Sequence, residues 1–206
     1  MVILNPLLSN SQELQRRGGM KIDEVAIIKV GQNISRIPDE ELNNNIFYTF
    51  DNLNFDLTHI DDEYVKKNKN SQSNYLTYRG DIVISFVGTK AAVITEKNQG
   101  KLLNQNFAKI IIDESLIDPY YFCYVLNEAN QIRKQKFMLM QGSTLPKMTP
   151  AILKDLHINL PDLQKQLLIG RAYFNLCKRQ YLLKQQSELE EQFFLELIQK
   201  SDVDNN

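Results

Sequence analysis

The side chains best suited to binding chemistry in this sequence are lysines, amides and hydroxyls that fall in predicted loops. Ammonium groups attract phosphates, and amide and hydroxyl groups both donate and accept hydrogen bonds, so the set could hold a polyanion. The candidate binding residues are Lys66, Lys67, Lys69, Lys90, Gln141, Ser143, Thr144 and Lys147. A purely structural turn explains Gln141-Gly142-Ser143-Thr144 equally well, and that alternative stays open.

The distribution of charge indicates a positive surface, although the total does not. The net charge of the 206 residues is −1. Acidic residues dominate the segment 23–63, whereas the segments 66–109 and 133–154 are mainly basic. A local positive face attracts a polyanion whatever the net charge is. Charged surfaces are the norm, so on charge alone an ordinary solvated face is the more frequent explanation.

Catalytic motifs are missing from the sequence. It has no Gly-x-Gly-x-x-Gly loop for a cofactor, and Gly100-Lys101 lacks the other residues of a phosphate-binding loop. The acidic triples Asp39-Glu40-Glu41 and Asp61-Asp62-Glu63 have no Glu-x-Lys partner that would complete a nuclease metal site. His59 and His157 have no nearby nucleophile in the sequence and are expected to be structural. We expect a chain without catalytic residues, bound cofactor or metal.

The cysteines and the hydropathy of the sequence indicate the cellular compartment of the protein. Cys123 and Cys177 lie in different predicted elements and form no Cys-x-x-Cys pair, so we expect them to be buried and reduced. No run of about 18 apolar residues predicts a membrane span, and the apolar start of the chain is too short for a secretory signal. These observations predict a cytoplasmic protein.

The segment 20–160 predicts an α+β domain with a small β-sheet core and flanking helices, preceded by an arm over 1–19 that carries a short helix. Strands are predicted at 25–30, 46–50, 82–87, 91–95, 107–112 and 157–160. Turns at Gly80-Asp81 and Gly88-Thr89-Lys90 make a hairpin of the third and fourth strands. Cap-plus-proline pairs at Asp118-Pro119 and Thr149-Pro150 begin two helices, and 131–140 predicts another.

The segment 161–200 predicts one long coiled-coil helix, and 201–206 a disordered tail. Such a helix would be roughly 55–60 Å long, more than a small head can cover. Apolar residues recur at seven-residue spacing, interrupted by Gln180, Ser187 and Glu190, and Leu182, Leu189 and Phe193 form a second stripe. The predicted dimerisation residues are Ile169, Tyr173, Leu176, Leu183, Phe194 and Leu197. A helix folded back on its own domain is the alternative.

Three segments, in this order, resemble the specificity subunit of type I restriction–modification systems. The first is the Gly80-Asp81 turn with the apolar strand and Gly88-Thr89 that follow it. The second is Asn104-Gln105-Asn106, the next strand and Asp118-Pro119-Tyr120-Tyr121. The third and most specific runs from Gln141-Gly142-Ser143-Thr144 through Lys147-Met148-Thr149 and 156–161 to Gln164-Lys165-Gln166. The resemblance covers about residues 20–199.

This resemblance implies a target-recognition domain that reads double-stranded DNA and catalyses nothing. Separate methyltransferase subunits would carry S-adenosylmethionine and methylate adenine, and a motor–endonuclease subunit would cut. In that role the lysines would hold phosphates, and the polar loop residues would contact base edges. Where the family's long helix usually follows two prolines, this chain has Pro161-Asp162, and Asp162 is itself a good N-cap.

The sequence departs from the family in size. Complete members have two recognition domains and two long helices, whereas this sequence has one of each. The resemblance therefore implies either a half-size subunit that works as a homodimer or a truncated remnant, and the intact helix favours the first. The rival hypothesis is a coiled-coil scaffold or decoy that occupies methyltransferase subunits without reading DNA. A nuclease is a weaker third.

Overall fold

The structure is a computed structural model that describes residues 19–37, 45–59, 75–140 and 148–203. The strands are β1 Met20–Lys21, β2 Ala26–Val30, β3 Ile82–Ser85, β4 Ala91–Val93, β5 Phe107–Ile112 and β6 His157–Ile158. The α-helices are α1 Ile22–Val25, α2 Phe50–Thr58, α3 Pro119–Glu128, α4 Asn130–Leu139, α5 Pro150–Asp155 and α6 Leu163–Val203. We call everything before α6 the head.

The centre of the head is an antiparallel sheet with the strand order β2–β5–β3–β4. Its register pairs Ile82 of β3 with Ile110 of β5 and with Val93 of β4. A second, two-stranded sheet joins β1 to β6 and pairs Met20 with Ile158. The second sheet therefore ties the beginning of the described chain to the segment just before α6.

Both faces of β3 and β4 are buried, which explains why these strands are almost continuously apolar rather than alternating. On the edge strand β2, by contrast, Ile27 is 57% exposed. Ile82 and Ile84 point to a large cluster that includes residues of α3 and α6. Val83, between them, points to a smaller cluster with Leu53 of α2. Helices thus cover the sheet on both sides, and α6 begins as part of the larger core.

Buried ionic groups stabilise the face of the sheet that packs on the smaller cluster. The Lys109 ammonium lies 2.6 Å from Asp81 Oδ2, and both side chains are almost fully buried. Asp56 of α2 accepts hydrogen bonds from the hydroxyls of Tyr48 and Thr95 and from Asn98 Nδ2. Burial raises the pKa of the Asp56 carboxyl, and these hydrogen bonds oppose that rise. Removing either partner of Lys109–Asp81 would leave a buried charge without its counter-ion.

Most of the predicted elements are confirmed, but the strand 46–50 and part of the disordered tail are wrong, and the sequence did not predict β1 or α1. Helix α2 was missed, because the predicted strand 46–50 contributes only an isolated bridge at Phe47 before the chain turns into a helix at Phe50. Thr49 begins that helix through reciprocal hydrogen bonds with Asn52. The predicted disordered tail is wrong for 201–203, which continue α6. The arm 1–18 and residues 204–206 lie outside the described residues.

Candidate nucleic-acid interface

Seven of the eight predicted binding residues lie outside the described residues, and Lys90 is the exception. The seven are Lys66, Lys67, Lys69, Gln141, Ser143, Thr144 and Lys147. The described residues that flank the second group are Met140, the C-cap of α4, and Met148. The backbone N–H of Met148 donates to the carbonyl of Phe86, in the turn between β3 and β4. That turn and the end of α4 are therefore the described borders of the predicted base-contacting loop.

Lys90 follows the same turn, where the sequence predicted it. Its ammonium lies 2.6 Å from Glu128 Oε1, at the end of α3, and its side chain is 43% exposed. Thr89, just before it, has a φ of 53°, a left-handed conformation that bends the chain back into β4. In this position Lys90 both joins the hairpin to α3 and presents positive charge to solvent.

A second lysine, Lys136 of α4, lies beneath Lys90. Its ammonium donates to the carbonyls of Thr89, at 2.9 Å, and of Leu126, at 2.7 Å. Burial, with help from the nearby Lys90 and Arg133, lowers the pKa of Lys136 to about 8. Two carbonyl acceptors do not neutralise a cation, so Lys136 adds to the positive potential of this corner of the head.

One carboxylate, Glu128, balances the cations around it only in part. It pairs with Lys90 and with Arg133 of α4. Burial raises the pKa of Glu128, but the hydrogen bond and charge of Lys90 and the charge of Arg133 outweigh it, so the pKa is lowered. Glu128 therefore stays ionised, and this basic corner, which we define as Lys90, Arg133, Lys134 and Lys136, keeps an excess of positive charge.

Of this basic corner, sequence reasoning singled out Lys90 alone, and among the basic residues of the segment 133–154 it singled out only Lys147. Arg133, Lys134 and Lys136 belong to the same positive segment 133–154 and sit on a helix that the sequence predicted correctly. The signal that could have found them is the absence of any acidic residue from α4. A helix whose charges all have one sign is unusual for a solvated face, which mixes both signs.

Helix α6 begins against the head through two specific contacts. Asp162 caps it by accepting from the Lys165 backbone N–H. The buried amide of Gln166 then accepts from the Asp118 N–H and donates to the carbonyls of Leu116 and Pro161. One turn later, Gly170 lets α6 approach α3 so closely that an added Cβ would lie 2.6 Å from the Tyr121 backbone nitrogen. This fixes the direction in which α6 leaves the head.

The predicted dimerisation residues fall in two different environments. Ile169 and Tyr173 pack into the larger core of the head, and the hydroxyl of Tyr173 accepts from Asn127 Nδ2 at 3.2 Å. In this chain they contact the head itself, as the folded-back alternative expects for that part of the helix. Leu176, Leu183, Phe194 and Leu197 are 44–60% exposed. Of the six predicted dimerisation residues, these four are therefore the ones left exposed for contact with a second copy.

The remaining chemistry-bearing residues have structural surroundings. Cys123 is fully buried and Cys177 is half-buried, and burial raises the pKa of both thiols. The ring of His59 stacks on Phe55 and meets the edge of Tyr181 on α6, so it joins α2 to the long helix. Within the four described ranges, no group of three or more histidine, cysteine or acidic side chains could hold a metal ion. None of the helices described is long and apolar enough to span a membrane.

Comparison with known families gives one match. The model of the type I restriction modification DNA specificity domain matches residues 19–191, which cover nearly the whole head and more than half of α6. A search of curated proteins finds no match.

Solved structures with a similar fold come from the same kind of system. The HsdS subunit from Thermoanaerobacter tengcongensis matches with a TM-score of 0.50 and 19% identity over 82% of this chain and 39% of that one. The type I S subunit from M. genitalium matches with a TM-score of 0.51 and 16% identity over 84% and 42%. A chain from a type I R-M complex matches with a TM-score of 0.55 and 18% identity over 87% and 42%. This chain spans about two fifths of the length of those it matches.

Proposed function

This chain belongs to the family of type I restriction modification DNA specificity domains, and on that basis we propose that it reads one half-site of a bipartite DNA target as a homodimer. In this proposal it catalyses no reaction itself. Methyltransferase subunits, which carry S-adenosylmethionine, modify adenine at the site it selects, and a motor–endonuclease subunit cuts.

The observation that carries the homodimer is the outer half of α6, residues 182–203; residues 163–181 are its inner half. Every described side chain from 182 to 202 is exposed, although this stretch is rich in leucine and phenylalanine. Leu182, Leu189 and Phe193 border an open, shallow depression on one face of the helix, together with Gln185, Gln186 and Glu190. With about 3.6 residues per turn, Leu183, Phe194 and Leu197 form the adjoining stripe. An apolar face of this length is ordinarily covered by another helix.

Pairing with a second copy would also solve a problem of selectivity. A single small recognition domain contacts too few base pairs to be selective in a genome. Antiparallel pairing of two outer halves would form a closed two-fold dimer with one head at each end. The two heads would read the same half-site in inverted orientation, so the target should be palindromic with an unread spacer whose length the helices fix.

The pairing is tested by placing charges in the apolar face. Leu183→Asp combined with Phe194→Asp should raise the dimer dissociation constant at least a hundredfold in sedimentation equilibrium, because burying each side chain contributes about 1.5–3 kcal/mol. The matched control is Gln192→Asp with Gln199→Asp, which adds the same charges on the opposite side of the helix and should leave the constant within about threefold. A wild-type chain that stays monomeric at tens of micromolar would contradict the homodimer.

The DNA target is tested by sequencing methylated adenines after incubation of DNA with this chain and its methyltransferase subunit. The proposal expects a palindromic, interrupted target. An asymmetric target would contradict the homodimer and point to a second specificity chain. Methyltransferase binding without any DNA binding would favour the scaffold or decoy hypothesis instead.

The loop residues predicted from the sequence have separable roles in this proposal. Neutralising Lys66, Lys67 and Lys69 together should weaken binding to all DNA alike and flatten the salt dependence by about 0.9 log units per lost phosphate contact. Changing Gln141, Ser143 or Thr144 should alter which sequence is preferred, by about 1–3 kcal/mol for each base contact. An unchanged salt slope in the triple lysine variant would show that these lysines are only solvated.

A further inference from the structure

Helix α4 is held on the head mainly by polar contacts rather than by an apolar stripe. In this helix, which the structure describes completely, Ile132 is the one fully buried residue. Gln135 exchanges two hydrogen bonds with the backbone of His157, and Gln131 accepts from Asn159 Nδ2. Lys136 adds its two carbonyl contacts on the same side. This side of α4 therefore packs on the head, whereas the opposite side faces solvent.

The opposite side of α4 combines exposed apolar and basic side chains. Phe137 and Met138 are 69% and 63% exposed, and both point away from Ile132. Arg133 and Lys134 share that exposed side, and Lys134 has no ion-pair partner among the residues that the structure describes. Two large apolar side chains next to two cations, with no acidic residue in the helix, suit a polyanion that also offers apolar surface.

We propose that the exposed face of α4, formed by Arg133, Lys134, Phe137 and Met138, docks against double-stranded DNA beside the predicted base-contacting loop. The proposal rests on the proposed function and locates a contact surface that the sequence did not single out. Charge complementarity carries it, because within the described ranges one carboxylate, Glu128, forms all the ion pairs of the four cations in the basic corner. Continuity supports it, since α4 ends at Leu139 and only its C-cap, Met140, separates it from the loop residue Gln141.

The side chains of this face have two kinds of role. Lys134 and Arg133 contact phosphate oxygens, which fix the position of the head on the duplex. Phe137 and Met138 lie against sugars and base edges, where apolar side chains contact thymine methyl groups. The hydrogen bonds of Gln135 and Lys136 fix α4 on the head. The helix therefore loses little conformational entropy when DNA binds.

The two roles give different salt signatures, which the test uses. The probe is a random-sequence 30-base-pair duplex titrated with the full chain, in fluorescence anisotropy, at several salt concentrations. Lys134→Gln should weaken binding several-fold and lower the log–log salt slope by about 0.9. Phe137→Ala combined with Met138→Ala should weaken binding about tenfold and leave the slope unchanged, because no ion is released at an apolar contact.

Matched controls lie on an exposed turn of α6. Lys165→Gln and Leu168→Ala change a lysine and an apolar residue that are also exposed, and they should not alter binding. All five altered positions are on the surface, so each of the four variants should keep the wild-type stability within about 0.5 kcal/mol. Circular dichroism and urea unfolding check this before binding is measured.

Each outcome decides one point. Wild-type binding with α4 variants that bind like the controls would overturn this inference and leave the proposed function standing. No DNA binding by the wild-type chain, alone or with methyltransferase subunit, would overturn both. Variants that bind DNA normally but no longer capture the methyltransferase subunit would show that a protein covers this face, and would also overturn the inference.

Discussion

The inner and outer halves of α6 share one apolar spacing but occupy different environments. Tyr173, in the inner half, is 9% exposed and packs in the head, whereas Leu183, in the outer half, is 54% exposed. The seven-residue repeat runs through both halves, with interruptions at Gln180 before Tyr181 and at Ser187 and Glu190 after it. The difference shows that such a repeat identifies a face that must be covered, but does not identify what covers it.

What distinguishes the inner half is a set of residues that fit only the head. Gln166 satisfies one backbone donor and two backbone acceptors, and Gly170 leaves room for α3. Beyond Tyr181, the helix has no corresponding contact with the described part of the head. Most of its stability as a monomer must therefore come from its own hydrogen bonds, which are marginal for about 20 residues in water.

Hydrogen exchange should show the largest difference between the two halves. In the monomeric Leu183→Asp/Phe194→Asp variant, amides of 186–203 should exchange at least a hundredfold faster than those of 167–180, because the outer half has no packing to hold it. In the wild-type dimer both halves should be protected. Equal protection along the whole helix in the monomeric variant would contradict the distinction.

Stability should respond strongly to a side chain placed where α6 meets α3. Gly170→Leu should lower the free energy of unfolding by about 3 kcal/mol, since its Cβ alone would overlap Asp118 Oδ1 and the Tyr121 backbone. Urea unfolding measures this. The same residue introduced in the outer half, as Gln192→Leu, should change the stability by no more than about 0.5 kcal/mol. Similar losses in both variants would mean that the outer half is also closely packed.

The elements that the sequence predicted best are those with local signals. Asp118-Pro119 and Thr149-Pro150 begin α3 and α5 as expected, and both caps accept the expected backbone hydrogen bond. The hairpin around Gly88 was also predicted, because turn residues and β-branched strands act over a few residues. Helix α2 was missed although Thr49 and Asn52 form a capping pair, since its asparagines and aspartates are poor helix formers.

The candidate site was harder to predict because it depends on contacts between distant segments. Nothing in the sequence shows that Lys136 reaches the Thr89 carbonyl, 47 positions away along the chain. Lys109 fell in a segment counted as a positive surface, yet it is buried against Asp81. Counting charges along the chain cannot separate these cases, because burial is set by the sheet register and not by the neighbouring residues.

A smaller effect should follow from removing one hydroxyl in the inner half. Tyr173→Phe should cost about 1 kcal/mol in urea unfolding, because the buried Asn127 amide then loses one acceptor. Tyr181→Phe is the matched control, where the lost hydroxyl accepts from the exposed Gln185 side chain and water can replace it. We expect almost no change in the control. A loss as large as that of Tyr173→Phe would place Tyr181 in a tightly packed contact.

The smallest effect should come from the outer half's own ion pair. Lys184 and Glu188 lie one turn apart with 3.7 Å between Nζ and Oε1, and both side chains are more than half exposed. Solvent screens such a pair, and the lysine precedes the glutamate, which is the weaker order along a helix. Glu188→Gln should therefore change the stability of the monomeric variant by about 0.3 kcal/mol or less, measured by urea unfolding in low salt.

The same substitution in the dimer makes the comparison sharper. If the helices pair through the apolar face, Glu188 stays in solvent on the far side, and Glu188→Gln should leave the dimer dissociation constant unchanged. A change of tenfold or more would mean that the polar side of α6 is covered in the assembly. In that case the two helices would pair through a different face. The distance between the two heads, and with it the spacer length, would then have to be derived from that face.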